Sequence, residues 1–324
     1  MNAKWIAGFI LRRVLSAIPM VLAVVIVNFI LIQAAPGDPV TVLIGDYPAP
    51  PEYVEQIRRD YGLDRPVLEQ LWAYLSNVFQ GNLGQSFAQR QPVATLVVER
   101  MAATLQLTLT AMAIAVVVGV LLGVIGARYR ATAIDSTTQG ITLLGYSIPE
   151  FWLGQVLIVV FAVQLGWLPT GGSRPVRGSN FTLMQLLPYI VLPAIALSFR
   201  YISIIGRMTR SSLLEVNNAD FITAARSRGL SDGQVMRRHT MKNASPPVIT
   251  VIGYNMGFVL AGSVMVETVF SWPGIGRLMY DSIGARDYPV LTGILLMISI
   301  TVVLANMLTD IIIALIDPRV AARG

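Results

Sequence analysis

The sequence predicts an all-α integral membrane fold with about six transmembrane helices. Two features of composition and one of charge placement carry that expectation. Hydrophobic residues make up 54% of the 324 positions, giving a mean hydropathy of +0.64, and only 13% are charged. A water-soluble chain of this length needs about a quarter of its residues charged to cover its core. Here the missing polar surface is replaced by lipid-facing surface. The third observation is an uneven distribution of Lys and Arg between the connecting loops, which orients the helices.

Six segments are long and apolar enough to cross a core about 30 Å thick. They run from Val14 to Ile32, Leu105 to Ile125, Gln139 to Leu165, Leu187 to Ile205, Pro247 to Phe270 and Val290 to Ile316. The first follows Lys4, Arg12 and Arg13. It exceeds the 7–15 apolar residues usual in a cleavable signal peptide, so it reads as a retained anchor. Pro149 interrupts the third segment and Arg200 lies in the fourth. With the N-terminus inside, 14 Lys/Arg fall in inner segments and 9 in the longer outer ones, and both termini inside requires an even number of spans.

The net charge of +6 would suggest nucleic acid in a soluble protein, but in a membrane chain the inner-loop bias gives the same excess and no nucleic-acid partner is expected. Without cysteine, disulfides, thiolate metal sites and cysteine nucleophiles are excluded. His239 is the sole histidine, which excludes a multi-histidine metal site. No catalytic residue, metal ligand or resident cofactor is expected.

About 70 residues separate the first two segments, too many for a structureless loop. Pro51, Glu52 and Glu55 mark a helix start and Gly62 its stop. Val67, Leu68, Leu71, Trp72, Leu75 and Val78 then recur at helical spacing up to Gly81, and a third short helix is expected from Val93 to Met101. This outer segment is either a lid on the membrane domain or a surface for a soluble partner.

The long inner loop, Arg207 to Pro247, is punctuated as two short helices. Asn217 is expected to cap the first, with Asp220 in the capping-box position, and Gly229 to end it in a left-handed turn. Ser231 and Gln234 form a second capping box, and Ser245-Pro246-Pro247 is expected to end that helix and restart the chain as the fifth span. Such a helix–glycine–helix element either docks into a groove of another protein or lies on anionic headgroups.

Thr223-Ala224-Ala225-x-x-x-Gly229 resembles the E-A-A-x-x-x-G coupling motif of bacterial ABC importer permeases. Threonine replaces the consensus glutamate and Lys242 stands where proline is expected. Both departures resemble the branch that imports di- and oligopeptides, as do Asp220-Phe221-Ile222, Gly229-Leu230, His239, and Asn243 ahead of Pro246. The likeness extends along the chain, through Pro36-Gly37-Asp38-Pro39, Gly62-Leu63-Asp64-Arg65-Pro66, Gly81-Asn82-Leu83-Gly84-Gln85-Ser86, Leu168-Pro169-x-Gly171, Glu267-x-x-Phe270-Ser271-Trp272-Pro273-Gly274-Ile275-Gly276 and Asp317-Pro318-Arg319. The long outer segment and Pro36-Gly37-Asp38-Pro39 resemble the first of the two permeases such systems carry.

The resemblance implies a type I ABC importer permease fold in the bacterial cytoplasmic (inner) membrane, with both termini cytoplasmic. Residues 1–97 would hold the first span and the periplasmic helical segment, 98–316 the permease domain with coupling loop 207–246, and 317–324 a cytoplasmic tail. The chain contains no phosphate-binding loop and only two lysines, Lys4 and Lys242, so it is not expected to be an enzyme. The resemblance places ATP and Mg on two partner ATPase subunits docked on the loop, through Asp220, Thr223, Ala224, Ala225, Gly229, His239 and Asn243. A second homologous permease and an extracytoplasmic peptide-binding protein complete the implied assembly, embedded in membrane lipid.

Polar residues inside spans either face a cavity or hydrogen-bond between helices. Glu150, Arg200, Glu267, Asn306 and Asp310 are those candidates, with Glu150 foremost for the pathway. Trp272-Pro273-Gly274 is expected to bend the chain beyond the fifth span. Gly119-x-x-x-Gly123 permits close helix approach. The implied cargo is di- or oligopeptide, with nickel chelates, glutathione or another small solute as alternatives. A self-contained secondary transporter lacks support in any visible inverted repeat, and an intramembrane hydrolase lacks a Ser/His pair or paired intramembrane aspartates.

Overall fold

A computed structural model describes residues 3–34, 40, 50–60, 62–173, 183–260 and 264–316. The motifs Pro36-Gly37-Asp38-Pro39 and Asp317-Pro318-Arg319 lie outside the described residues. Among the described residues all named elements are helical, and three helices are long and apolar enough to span a membrane, Val93–Arg128, Met184–Asn217 and Tyr288–Ile313. The first expected span falls within the 32-residue helix Ala3–Ala34, the third on a bent helix pair, and the fifth on two helices to either side of residues 261–263, which lie outside the described residues.

By Cα packing the chain divides into two compact units, one of Met1–Ala103 with Gly274–Thr301 and one of Thr104–Pro273 with Val302–Gly324. Helix α4 (Val93–Arg128) and helix α13 (Tyr288–Ile316) contribute residues to both.

In the first unit, α1 (Ala3–Ala34) carries the apolar stretch Ile18–Leu31. Helix α2 (Pro51–Asp60) begins at the expected proline, and the chain turns at Gly62 with φ +63°. Helix α3 (Val67–Phe79) follows and is released at Gly81, φ +76°. It is tied to α1 by Gln33 donating to Gln70 Oε1 at 2.8 Å and by Phe29 stacking on Tyr74 at 5.9 Å. Its opposite stripe of Leu68, Trp72 and Phe79 is exposed.

The expected short helix from Val93 to Met101 is instead the first part of α4, continuous with the second span. Nothing between Met101 and Leu105 can stop a helix: Ala102, Ala103 and Thr104 all continue it. Ahead of it, the Gly81–Ser86 motif folds around one carboxylate. Buried Asp287 accepts from Ser86 Oγ at 2.5 Å and from the backbone N–H groups of Phe87 and Ala88 at 3.2 and 3.1 Å. Asp287 lies in the turn between α12 (Ile275–Gly284) and α13, so one side chain organises a loop 200 residues away in sequence.

In the second unit, α4 packs on α7 (Leu183–Asn217) through the expected small residues. A Cβ at Gly119 would meet Ile205 at 3.0 Å, and one at Gly123 would meet Thr209 Cβ at 2.5 Å. A second close approach was not marked by the sequence reading: Gly253 and Gly257 on α10 (Met241–Leu260) meet Thr309 and Asn306 of α13. Small residues let backbones close up where lipid supplies no hydrophobic drive for helix association.

The expected third span is not a rod. Helix α5 (Ala133–Ser147) and α6 (Glu150–Leu157), which continues as a π-helix over Ile158–Gln164, are bent by 101°. The cause is local. Pro149 lacks the N–H that would continue α5, and Ile148 before it takes an extended ψ of 125°. The expected bend after the fifth span is also present. After α11 (Val264–Val269), Ser271 adopts φ +50° and the wholly buried Trp272 donates its N–H to Glu267 O at 2.8 Å. Two family-like motifs meet there, because Gly171 lies directly against the Phe270 backbone and Gly172 donates to Phe270 O at 2.8 Å.

Candidate functional site: a helical hairpin and an amphoteric cavity

The loop between α7 and α10 folds as a hairpin with its own small core. Helix α8 (Asp220–Ser227) and helix α9 (Asp232–Val235) close on Ile222, Ala225 and Val235, flanked by Val216 and Leu230. Gly229 turns between them at φ +81°, donating its N–H to Arg226 O at 2.9 Å. A Cβ there would meet nothing within 4 Å, so only the backbone conformation demands glycine. Ser231 and Gln234 form both halves of the expected capping box. Arg226 reaches Asp232 at 3.3 Å across the turn.

Two expectations for the hairpin are corrected. Asn217 does not cap α8; the N-cap is Ala219, which makes no side-chain bond. Helix α7 runs on through Asn217, and its Oδ1 accepts from the buried Thr240 hydroxyl at 2.9 Å. Nor does Ser245-Pro246-Pro247 end the second helix. From Asp232 the chain is helical to Leu260, passing through a π-turn at Met236–Thr240 and then α10, with both prolines inside. Pro246 leaves the Lys242 carbonyl without its usual N–H, and Ser245 Oγ donates to it at 3.0 Å instead. Asn243 likewise donates its side-chain amide to His239 O at 2.7 Å.

The sequence-predicted loop residues therefore separate by role. Ala225 is part of the hairpin core, and Gly229 makes its turn. Asp220, Thr223 and Ala224 are exposed beside Phe221, which is 46% exposed. His239 is half-buried on the π-turn, and Asn243 is bound to its carbonyl. The exposed face is thus an aromatic ring and small side chains, bordered by Arg226, Arg228, Arg237 and Arg238.

Of the polar intramembrane candidates, the fold brings two together. Glu150 is the first residue of α6, held at the N-terminal end of a helix by the bend at Pro149, where the helix dipole favours a carboxylate. Arg200 projects from the middle of α7, and its Nη1 stands 3.8 Å from Glu150 Oε1. Both line a cavity of about 600 Å³ with Tyr146, Tyr201, Phe258 and Met265.

The others lie elsewhere. Glu267 is fully enclosed and accepts from Thr104 Oγ1 at 2.7 Å, which makes it an internal tie between α4 and α11. Asn306 is exposed with its Oδ1 toward Gly257, and Asp310 is half-buried on the following turn. No cluster of three or more His, Asp or Glu suited to a metal occurs among the described residues.

One pair escaped the sequence reading. Buried Asp135 on α5 takes a two-pronged bond from Arg210 on α7, at 2.7 and 2.8 Å, and further bonds from Ala131 N–H and Gln139. Arg210 counts as a loop cation in the sequence, but α7 extends past it, and 75 residues separate the partners. The available signal was an aspartate in the first turn of an otherwise uncharged helix. Arg207, one turn earlier, lies 4.9 Å over the Tyr146 ring.

Comparison with known proteins agrees with this architecture. Residues 115–322 match the family described as binding-protein-dependent transport system inner membrane component, and residues 6–108 match its N-terminal region. A Brucella abortus (strain 2308) relative, which carries the description of a peptide transport system permease protein, is 42% identical over 97% of this chain and 98% of its own. The di/tripeptide transport system permease protein DppB of Pseudomonas aeruginosa (strain UCBPP-PA14) is 39% identical at the same coverage. The glutathione transport system permease protein GsiC of Escherichia coli O6:H1 (strain CFT073) is 38% identical, again over 97% and 98%. A solved inward-facing structure of the MetNI methionine ABC transporter aligns with a TM-score of 0.57 and 21% identity, over 68% of this chain and 96% of that one. The fold is that of a type I ABC importer permease, and the chain belongs to the family of binding-protein-dependent transport system inner membrane components.

Proposed function

We propose that this chain carries di- and oligopeptides inward, as one half of a pathway formed with a second, related permease. The observation that carries the reading is the hairpin of α8 and α9. It buries Ile222, Ala225 and Val235 within itself and still leaves Phe221, Thr223 and Ala224 outward. A helical unit with its own core and an exposed aromatic suits insertion into a groove of a partner. ATPase subunits dock there, and their closure on ATP moves the hairpin as a body. In this reading the hairpin and both termini are cytoplasmic, and a peptide-binding protein delivers cargo on the opposite side to the cavity that holds Glu150 and Arg200.

The test is reconstitution of the chain with its second permease and ATPases in proteoliposomes. Loaded binding protein is expected to stimulate ATP hydrolysis, and Phe221→Asp to abolish that stimulation with the complex still membrane-inserted. Uptake by this chain alone, driven by a proton gradient, would refute the proposal. A second cargo reading, glutathione, draws on the 38% identical glutathione permease. Identifying the ligand that co-purifies with the cognate binding protein separates the two.

A further inference from the structure

We propose that Glu150 and Arg200 read the two charged ends of a zwitterionic peptide, Glu150 taking its ammonium and Arg200 its carboxylate. The inference rests on the reading above, that the cavity lies on the translocation pathway. Opposite charges that line one intramembrane cavity are placed to meet what enters it. This pair is not tight. At 3.8 Å the nitrogen and oxygen stand beyond hydrogen-bond distance, and the side chains keep 21% (Glu150) and 53% (Arg200) of their accessible surface. Arg210 and Asp135 in the same unit show the contrast, with two bonds below 2.9 Å and 24% and 4% exposure.

A loose, accessible ion pair exchanges readily for a ligand that presents both complementary charges. The cavity volume of about 600 Å³ falls within the ~300–1,000 Å³ of small-ligand sites. Its remaining walls suit variable side chains, since Tyr146, Tyr201 and Phe258 are aromatic and Met265 is flexible. Charge would thus be read at the backbone ends, which every free peptide shares, while the walls tolerate what differs between peptides. The two charges are held on separate elements, Glu150 at the start of α6 and Arg200 on α7, so a peptide can part them without either helix unfolding.

The test uses the assembled importer in nanodiscs without binding protein, with Ala–Ala, N-acetyl-Ala–Ala and Ala–Ala-amide as probes in saturation-transfer NMR titrations. Glu150→Gln is expected to weaken Ala–Ala and Ala–Ala-amide at least about fivefold and leave N-acetyl-Ala–Ala unchanged. Arg200→Gln is expected to weaken Ala–Ala and N-acetyl-Ala–Ala and leave Ala–Ala-amide unchanged. Ratios that do not depend on the end groups, or no contact with Ala–Ala in the wild type, would overturn the proposal. The pathway reading has its own arm. The chain lacks cysteine, so Met265→Cys can be labelled within it by a bulky maleimide after assembly. Blocked uptake with ratios that ignore the end groups keeps the pathway and removes the end-reading role. Uptake undiminished by full labelling removes both.

Discussion

The Thr240 hydroxyl donates to the Asn217 side-chain oxygen at 2.9 Å, joining the last residue of the long helix α7 to the π-turn that leads out of the hairpin. The two residues flank the hairpin in sequence, 23 positions apart, and Thr240 is wholly buried. The bond therefore clamps the base of the unit proposed to receive force from the ATPases. A π-turn at that base places a wider, under-wound register next to the clamp, a feature often found at functional positions in helices.

Asn217→Ala leaves the buried Thr240 hydroxyl without this acceptor and should destabilise the base of the hairpin by about 1–3 kcal/mol. Amide hydrogen exchange across 220–240 is expected to accelerate while exchange in α4 stays the same. Thr240→Val removes the donor and keeps the shape, so the double variant Asn217→Ala/Thr240→Val should cost less than the sum of the two. Additive costs would mean the bond carries no clamp.

Gly229 sits at φ +81° with open space around its Cα, so its substitution tests conformation without crowding. Gly229→Val should cost roughly 1–2 kcal/mol in the turn. We expect uptake to fall with membrane insertion intact. Gly229→Asn, which tolerates the left-handed region, should recover most of the uptake. Equal uptake by all three chains would show that the turn geometry does not matter for coupling.

The Asp135–Arg210 pair is expected to be structural. Asp135→Ala strands a partly buried guanidinium and should lower the stability of the purified complex by about 3–5 kcal/mol. Thermal unfolding in detergent measures this. Glu150→Gln serves as the comparison, because its looser ion pair should shift the midpoint far less.

Much of the fold was legible because its signals are local. Apolar length marks a span whatever surrounds it, and Gly62, Gly81, Gly229 and the Ser231/Gln234 box act within a few residues of themselves. Where local signals competed, the reading failed. Asn217 is a good cap residue, yet helix α7 had enough further turns to run past it and use its side chain across the hairpin. Pro246 and Pro247 are helix-ending residues, yet Ser245 satisfies a carbonyl they free and the helix continues.

By itself, then, the sequence determined that the chain is a membrane helix bundle, where its hairpin lies and which side chains are charged within it. Those follow from hydropathy, which needs no partner, and from turn chemistry confined to neighbouring residues. Only the tertiary structure decided which partner each charge meets: Arg210 with Asp135, Asp287 with the Ser86 hydroxyl, Glu267 with the Thr104 hydroxyl, and Glu150 facing Arg200 across a cavity. The reason is that each pairing depends on the rotation and approach of separate helices, set by contacts such as Gly123 on Thr209 and by the 101° bend at Pro149. No neighbouring residue in the chain encodes such a distance.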